Sequence, residues 1–287
     1  MKAKFGPAGN SDSFYEEGHK SSLEMPAWLN RQGLSLYEYQ CGRGVKMSRD
    51  SAQDLCQNAK QSGVELSIHS PYYINLASDD PERQEKTVNY IRQTLTLASY
   101  LDAKRIVVHM GSPGKRTRLA GMKDTEKLLQ RILDMMKNEG FYGKTHLCLE
   151  TMGKVNQLGT VEEVIKMCRL DDSFLPCIDF GHVNARTQGS LSGEKAFSAL
   201  FDQIENALGF ERMNEMHCHV SKIEYTNMGE KKHLTFEDTQ YGPDYTDLAK
   251  VIAKRGTAQH LICESAGTQS EDALKLKNMV VQEEKSL

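Results

Sequence analysis

Phe174-Leu-Pro-Cys-Ile-Asp-Phe-Gly-His182, FLPCIDFGH, is an apolar run that ends in a carboxylate, with an imidazole three residues further on. Its first six residues read as a strand. Asp179 alone could cap a helix, and His182 alone could be a satisfied loop histidine. Together they pose a metal question, which the ends of the other strands must answer.

Working outward, similar short runs recur along the chain: AKFG near residue 4, LSLYEYQ at 34–40, VELSIH at 64–69 and RIVVH at 105–109. HLCLE at 146–150, MNEMHCH at 213–219 and HLICE at 260–264 complete a set of eight with 174–179. Helices fall between them. Asp80-Pro81 places a capping carboxylate before a proline at the first helical position, and Val88, Ile91, Leu95 and Ala98 follow at helical spacing. Thr160 and Glu163 form a capping box. The stripe Phe197, Leu200, Phe201, Ile204 and Leu208 stops at Gly209, and DYTDLAKVIAKR stops at Gly256. A last helix is expected to finish in KNMVVQEEKSL. Eightfold strand–helix alternation predicts one (β/α)8 TIM barrel over residues 1–287, with its site at the C-terminal ends of the strands. A doubly wound sheet is the runner-up, but no GxGxxG follows the first strand.

The bulk numbers fit this reading. The chain has 287 residues, close to the ~250 typical of such a barrel. No apolar run approaches the ~20 residues of a membrane span, and the start lacks the apolar segment of a secretory signal, so the expectation is a cytoplasmic monomer. Seven cysteines without a CxxC pair argue for reduced thiols rather than a disulfide framework. A net charge of −3 neither requires nor excludes nucleic acid.

In such a barrel the loops after the strands surround one cup, so strand-final residues can meet. They are His69, His109, Glu150, Asp179 with His182 just beyond, His217 or His219, and Glu264. His217 and His219 are read as facing opposite sides of their strand, which leaves one of them for the cup. His146 and His260 begin strands at the far end and are assigned structural roles; His19 is expected at the solvent surface. Each residue singly has an ordinary explanation, a hydrogen-bonded histidine or a carboxylate at a helix end. Jointly, several carboxylates converging in a cup would repel one another and raise their pKa values, a penalty that divalent cations remove. The mixed donor set suits zinc, manganese or iron better than calcium or magnesium.

The ordered set IHSPYYINLAS (68–78), VVHMGSPG (107–114), CLETMG (148–153), CIDFGHVNA (177–185), MHCHVSK (216–222) and ICES (262–265) resembles the endonuclease IV family, within the broader xylose-isomerase-like barrels. The resemblance implies a trinuclear zinc site, reduced to two ions if the departure described below removes the third. His69, His109 and Glu150 would hold one ion; Glu150 would bridge to a second, also held by Asp179, His219 and Glu264; His182 and His233 would hold the third. It further implies hydrolysis of the DNA backbone 5′ to an abasic site by a hydroxide attacking between two metals, with Glu150 as the catalytic carboxylate. One position departs. The family pattern has an aspartate two residues before the last histidine, where Gly229-Glu-Lys-Lys-His233 carries Lys231. Either Glu230 enters through a shifted loop, or the third site is weak or absent. Lys231 could also do a missing ion's electrostatic work as a catalytic residue, or EKK could be a solvated charge run. The first strand departs as well, lacking the family's histidine.

Abasic duplex DNA as a partner asks for cations around the cup and an aromatic at the gap left by the base. Arg43, Lys115 and Arg116, together with Arg118, Lys222 and Lys232, lie in loops expected on that face, and Tyr72 matches a substrate-contacting tyrosine of the resembling family. The rival is a metal-dependent sugar isomerase or epimerase of the same superfamily, which would need fewer histidines. A non-enzymatic metal-binding barrel is the third reading.

Overall fold

A computed structural model describes residues 2–287. All eight expected strands form and belong to one sheet. They are β1 (Lys4–Pro7), β2 (Leu36–Gln40), β3 (Glu65–His69), β4 (Arg105–His109), β5 (His146–Glu150), β6 (Phe174–Asp179), β7 (His217–Val220) and β10 (His260–Cys263). A two-stranded antiparallel hairpin, β8 (Lys222–Thr226) and β9 (Gly229–Leu234), is inserted between β7 and the helix Tyr245–Arg255. The eight-stranded sheet is parallel throughout, in the order β1-β10-β7-β6-β5-β4-β3-β2. Its two edges meet: Ser35 N donates to Phe5 O at 3.1 Å and Gly9 N to Glu38 O at 2.9 Å. Gly6 permits the approach, because a Cβ there would stand 1.8 Å from Leu36 O. The result is a (β/α)8 barrel.

The helix signals hold. Asp80 accepts from Glu82 N and Arg83 N, and Thr160 and Glu163 complete their reciprocal box. The helices Glu194–Leu208 and Tyr245–Arg255 stop at Gly209 and Gly256. A final helix spans Gln269–Ser286. Two expectations need correction. Residues 213–216 do not open β7; a short helix, Phe210–Asn214, reaches into that stretch. Residues 222–234, read as a loop, form the hairpin. The local reason is alternation in KIEYT and KHL, a weak signal in so polar a segment.

Two interiors result. The large apolar core lies between strands and helices and takes Phe197, Phe201, Ile204, Ile132 and Leu95; each such side chain contributes about 1.5–3 kcal/mol by leaving water. Inside the barrel the apolar filling is small. Val107, Cys148, Leu175 and Cys177 form one cluster and Ala8, Leu36 and Ile262 another. The seven cysteines are free thiols. No helix among the described residues is long and apolar enough to cross a membrane.

Candidate metal centre

Strand register decides which donors meet. His109 pairs with Glu150 across β4–β5, and Asp179 with His219 across β6–β7. His69 ends β3, and Glu264 follows β10 by one residue. Glu150 lies at the centre, almost wholly buried. Its Oε2 is 3.0 Å from His109 Nε2 and 3.4 Å from His69 Nε2. Its Oε1 is 3.2 Å from His219 Nδ1 and 3.4 Å from His182 Nδ1. His219 Nδ1 also stands 3.5 Å from Glu264 Oε2.

Asp179 resolves the question posed by the FLPCIDFGH stretch, because it does two things at once. It caps the helix Phe180–Arg186, accepting from His182 N at 2.7 Å through Oδ1. Its Oδ2 is buried without a hydrogen-bond partner, as is Glu150 Oε2. An orphaned buried carboxylate oxygen is costly, and a cation shared by neighbouring donors would satisfy both. Of five groups of donor atoms among the described residues close enough to share an ion, three adjoin one another around the cleft: His69–His109–Glu150, Glu150–Asp179–His219–Glu264 and His182–Glu230–His233; the others, His69–His219–Glu264 and Cys177–His217–His219, overlap them or lie deeper. The chemistry of this set, histidine nitrogens with carboxylate oxygens, fits divalent transition metals.

Neighbouring hydrogen bonds orient several donors. His69 Nδ1 lies 3.0 Å from Ser70 O and His182 Nδ1 2.9 Å from Thr151 O, so each ring presents Nε2 to its cluster. His233 Nδ1 lies 2.8 Å from Ser221 Oγ, whose backbone is held by the buried Tyr245 hydroxyl. The electrostatics favour positive charge among these donors. Burial opposes ionisation of Glu150, yet His109, His182 and His219 hold its carboxyl well below the ordinary range. Burial alone would lower His69, but Glu150 raises it to about 9. His182 is raised well above the ordinary histidine value against its burial, by Asp179 and the two glutamates facing it. Cations and protons therefore compete for the same nitrogens.

The third cluster explains the departure at Lys231. The hairpin pairs Glu224 with Lys232 and Tyr225 with Glu230, so Lys231 is the extra residue of a β-bulge. Residues three apart in a regular strand face opposite sides; one extra residue restores Glu230 and His233 to the same side. Glu230 Oε2 is 3.4 Å from His182 Nε2, and its Oε1 is 4.0 Å from His233 Nε2. The hairpin is seated by Glu230 N donating to Gly153 O at 3.1 Å, and a Cβ at Gly153 would come within 2.5 Å of the Glu230 Cβ. Lys231 turns outward to pair with Glu224 and is mostly exposed. The expectation of a catalytic Lys231 is thereby corrected: the bulge turns its ammonium away from the donors.

Further corrections concern neighbouring residues. His217 and His219 do not face opposite sides. Residues two apart share a face of a strand, and both rings point to Glu38, whose Oε2 is 2.9 Å from His217 Nε2 and whose Oε1 is 3.1 Å from His219 Nε2. Glu38, fully buried on β2, is a residue the sequence reading missed. Its signal was a lone carboxylate in the alternating LYEYQ. Burial opposes its ionisation, but His219 and His217 keep its carboxyl well below the usual range. His19 is half-buried against Phe14 and bonded to Glu24 rather than free in solvent. His260 does sit at the opposite mouth, 3.0 Å from Glu65.

The donors line a cleft of about 310 Å³, with Tyr72, Met152, Lys154 and Gln157 completing its walls. Tyr72 is half exposed and lies against Tyr73, hydroxyl to hydroxyl at 3.1 Å. Of the expected cations, Arg43 and Lys115 are exposed at loops after β2 and β4. Arg116 is instead engaged by Asp79, Asp124 and Ala77 O, so its guanidinium is already satisfied. Arg118 is held by Glu163 and two carbonyls, and Lys222 by Asp238 O. Lys154, also missed, lines the cleft with no ion-pair partner among the described residues. A larger cleft of about 520 Å³ elsewhere, walled by Val161, Val183, Leu191 and Leu200, contains no histidine.

A family model described as "Xylose isomerase-like TIM barrel" matches residues 25–280. An uncharacterized protein of Methanocaldococcus jannaschii is 33% identical over 253 residues, 87% of this chain and 88% of that one. A probable endonuclease 4 of Mycoplasma genitalium is 28% identical over 192 residues, 65% of this chain and 62% of that protein. Among solved structures, endonuclease IV from Thermus thermophilus superposes with a TM-score of 0.74 at 16% identity, covering 99% of this chain and 100% of that one. A D-tagatose 3-epimerase-like protein gives 0.66 at 19%, covering 88% and 89%. At these identities the two structures share the fold.

Proposed function

Because the chain belongs to the AP endonuclease 2 family of xylose isomerase-like TIM barrels, we propose that it is a metal-dependent phosphodiesterase that hydrolyses the DNA backbone 5′ to abasic sites. The observation that carries this reading is the third donor cluster. An epimerase-type reaction needs a cation at Glu150, Asp179, His219 and Glu264 and a carboxylate to move a proton; His182, Glu230 and His233 would then have no task. Three adjoining clusters suit a phosphodiester, whose charge sits on several oxygens at once. Divalent cations, when bound, supply Lewis acidity and neutralise that charge; zinc is the proposed metal, with manganese or iron as alternatives.

The protein's own residues supply the rest. Glu150 joins two clusters and, buried among four imidazoles, orients the reacting groups. Asp179 is fixed by its capping bond, so its second oxygen has one direction to point. Tyr72 and Tyr73 offer an aromatic surface at the cleft edge for an unstacked sugar, and Lys154, Arg43 and Lys115 offer cations to flanking phosphates. The test is incision of a duplex containing one abasic site by metal-replete protein, set beside Glu150→Gln. Incision by the wild type and its loss in a folded variant is the expected pair of results. Metal-replete protein that leaves the duplex intact but epimerises a ketose would replace this reading with the sugar-epimerase one.

A further inference from the structure

Beneath the metal centre lies a polar layer built around a carboxylate outside the cleft. Glu38 projects into the barrel from β2, fully buried. Ser67 Oγ donates to its Oε2 at 2.9 Å and Gln40 Nε2 to its Oε1 at 3.1 Å. His217 Nε2 lies 2.9 Å from Oε2, and His219 Nε2 lies 3.1 Å from Oε1. The His219 ring thus spans two carboxylate systems, with Nε2 toward Glu38 and Nδ1 toward Glu150 and Glu264. His219 Nε2 is completely buried and has no completed hydrogen bond; Glu38 Oε1, at 3.1 Å, is the carboxylate oxygen facing it. A neutral imidazole has one N–H and one lone pair, so the partner of one nitrogen decides what the other presents.

We propose that Glu38 is a positioning residue for the metal centre: it accepts the Nε2–H of His219 and so presents the Nδ1 lone pair to the cation shared with Glu150, Asp179 and Glu264. Ser67 and Gln40 hold the carboxylate in place, and His217 occupies its second oxygen. That arrangement turns Oε1, which also accepts from Gln40, toward His219 and holds Glu38 back from the centre. The motif is a carboxylate–histidine–metal relay, assembled from β2 and β7 across the barrel. It rests on the metal-centre reading and is independent of the substrate.

The experiment is zinc binding by full-length, chelator-stripped protein, with zinc alone as the probe. Glu38→Gln keeps the side chain's shape but removes the second carboxylate oxygen, setting an amide N–H₂ against one imidazole. We expect one zinc to bind about 10- to 100-fold more weakly, with the metal-free melting temperature near that of wild type. A second readout needs no variant of Glu38. In ¹⁵N-histidine-labelled wild type loaded with zinc, His219, identified by its absence in His219→Gln, should be protonated at Nε2 and coordinated at Nδ1. Zinc binding unchanged in Glu38→Gln, or a wild-type His219 protonated at Nδ1, overturns the proposal. If Glu38→Gln does not fold, the tautomer decides. Wild type that binds no zinc at all would instead remove the metal-centre reading beneath it.

Discussion

The bulge at Lys231 makes a sharp distinction between two neighbouring residues. Glu230 faces the third cluster and Lys231 faces solvent. The Glu230 carboxylate stands 3.4 Å from His182 Nε2. A cation held by both groups would stand closer to the carboxylate than this, and unit charges even 3.4 Å apart attract by about 5 kcal/mol at an effective dielectric of ~20, from which dehydration subtracts a share. Removing the charge with Glu230→Gln should therefore weaken one ion by at least about 100-fold, or about 2.7 kcal/mol. Lys231→Ala should change neither the number of ions nor their affinity. Deleting Lys231 is the informative variant. It leaves Glu230 two residues before His233, a spacing that puts both on one face of a regular strand without any bulge. The deletion should therefore retain the third ion. Metal content by inductively coupled plasma mass spectrometry and affinity by competition with a zinc dye read all three. Full metal binding by Glu230→Gln, or loss of an ion in Lys231→Ala, would refute the bulge argument.

Stripping the metal should lower the melting temperature, because ions bound only by the folded state stabilise it. At a free concentration 100 times Kd each contributes about 2.7 kcal/mol, or roughly 4–5 °C in a chain of this size; a melting temperature unmoved by verified stripping would count against ions bound in the cup. At the opposite mouth, the His260 hydrogen bond and the Lys4 ammonium hold Glu65 at about 2, against the partial burial that would raise it. A carboxyl depressed in the folded state adds stability above its unfolded value of 4.5, and loses it as pH falls through about 2. The melting-temperature gap between wild type and Glu65→Gln should shrink over that interval, and a gap that stayed constant would dismiss the pairing.

Much of the barrel was legible from local signals. Asp80, Thr160, Gly209 and Gly256 act on backbone groups within a few residues, so their sequence context contains nearly all the physics of capping. Apolar strand runs ending in His109, Glu150 and Asp179 announced themselves because a strand that leaves the core at a polar residue marks its own end. His69, His109, Glu150, Asp179, His182, His219, His233 and Glu264 could all be named in this way or by resemblance. What only the tertiary structure decided depends on separations no window spans. Glu38 meets His217 across 179 residues, and its importance arises from closing the sheet into a barrel. Arg116, expected to face the cup, is engaged by Asp79 and Asp124 instead. Glu230 displaced Lys231 because pairing between β8 and β9, set by both strands together, placed the extra residue at 231. Propensities and caps are properties of a segment, whereas direction and partnership of a side chain are properties of the packed whole.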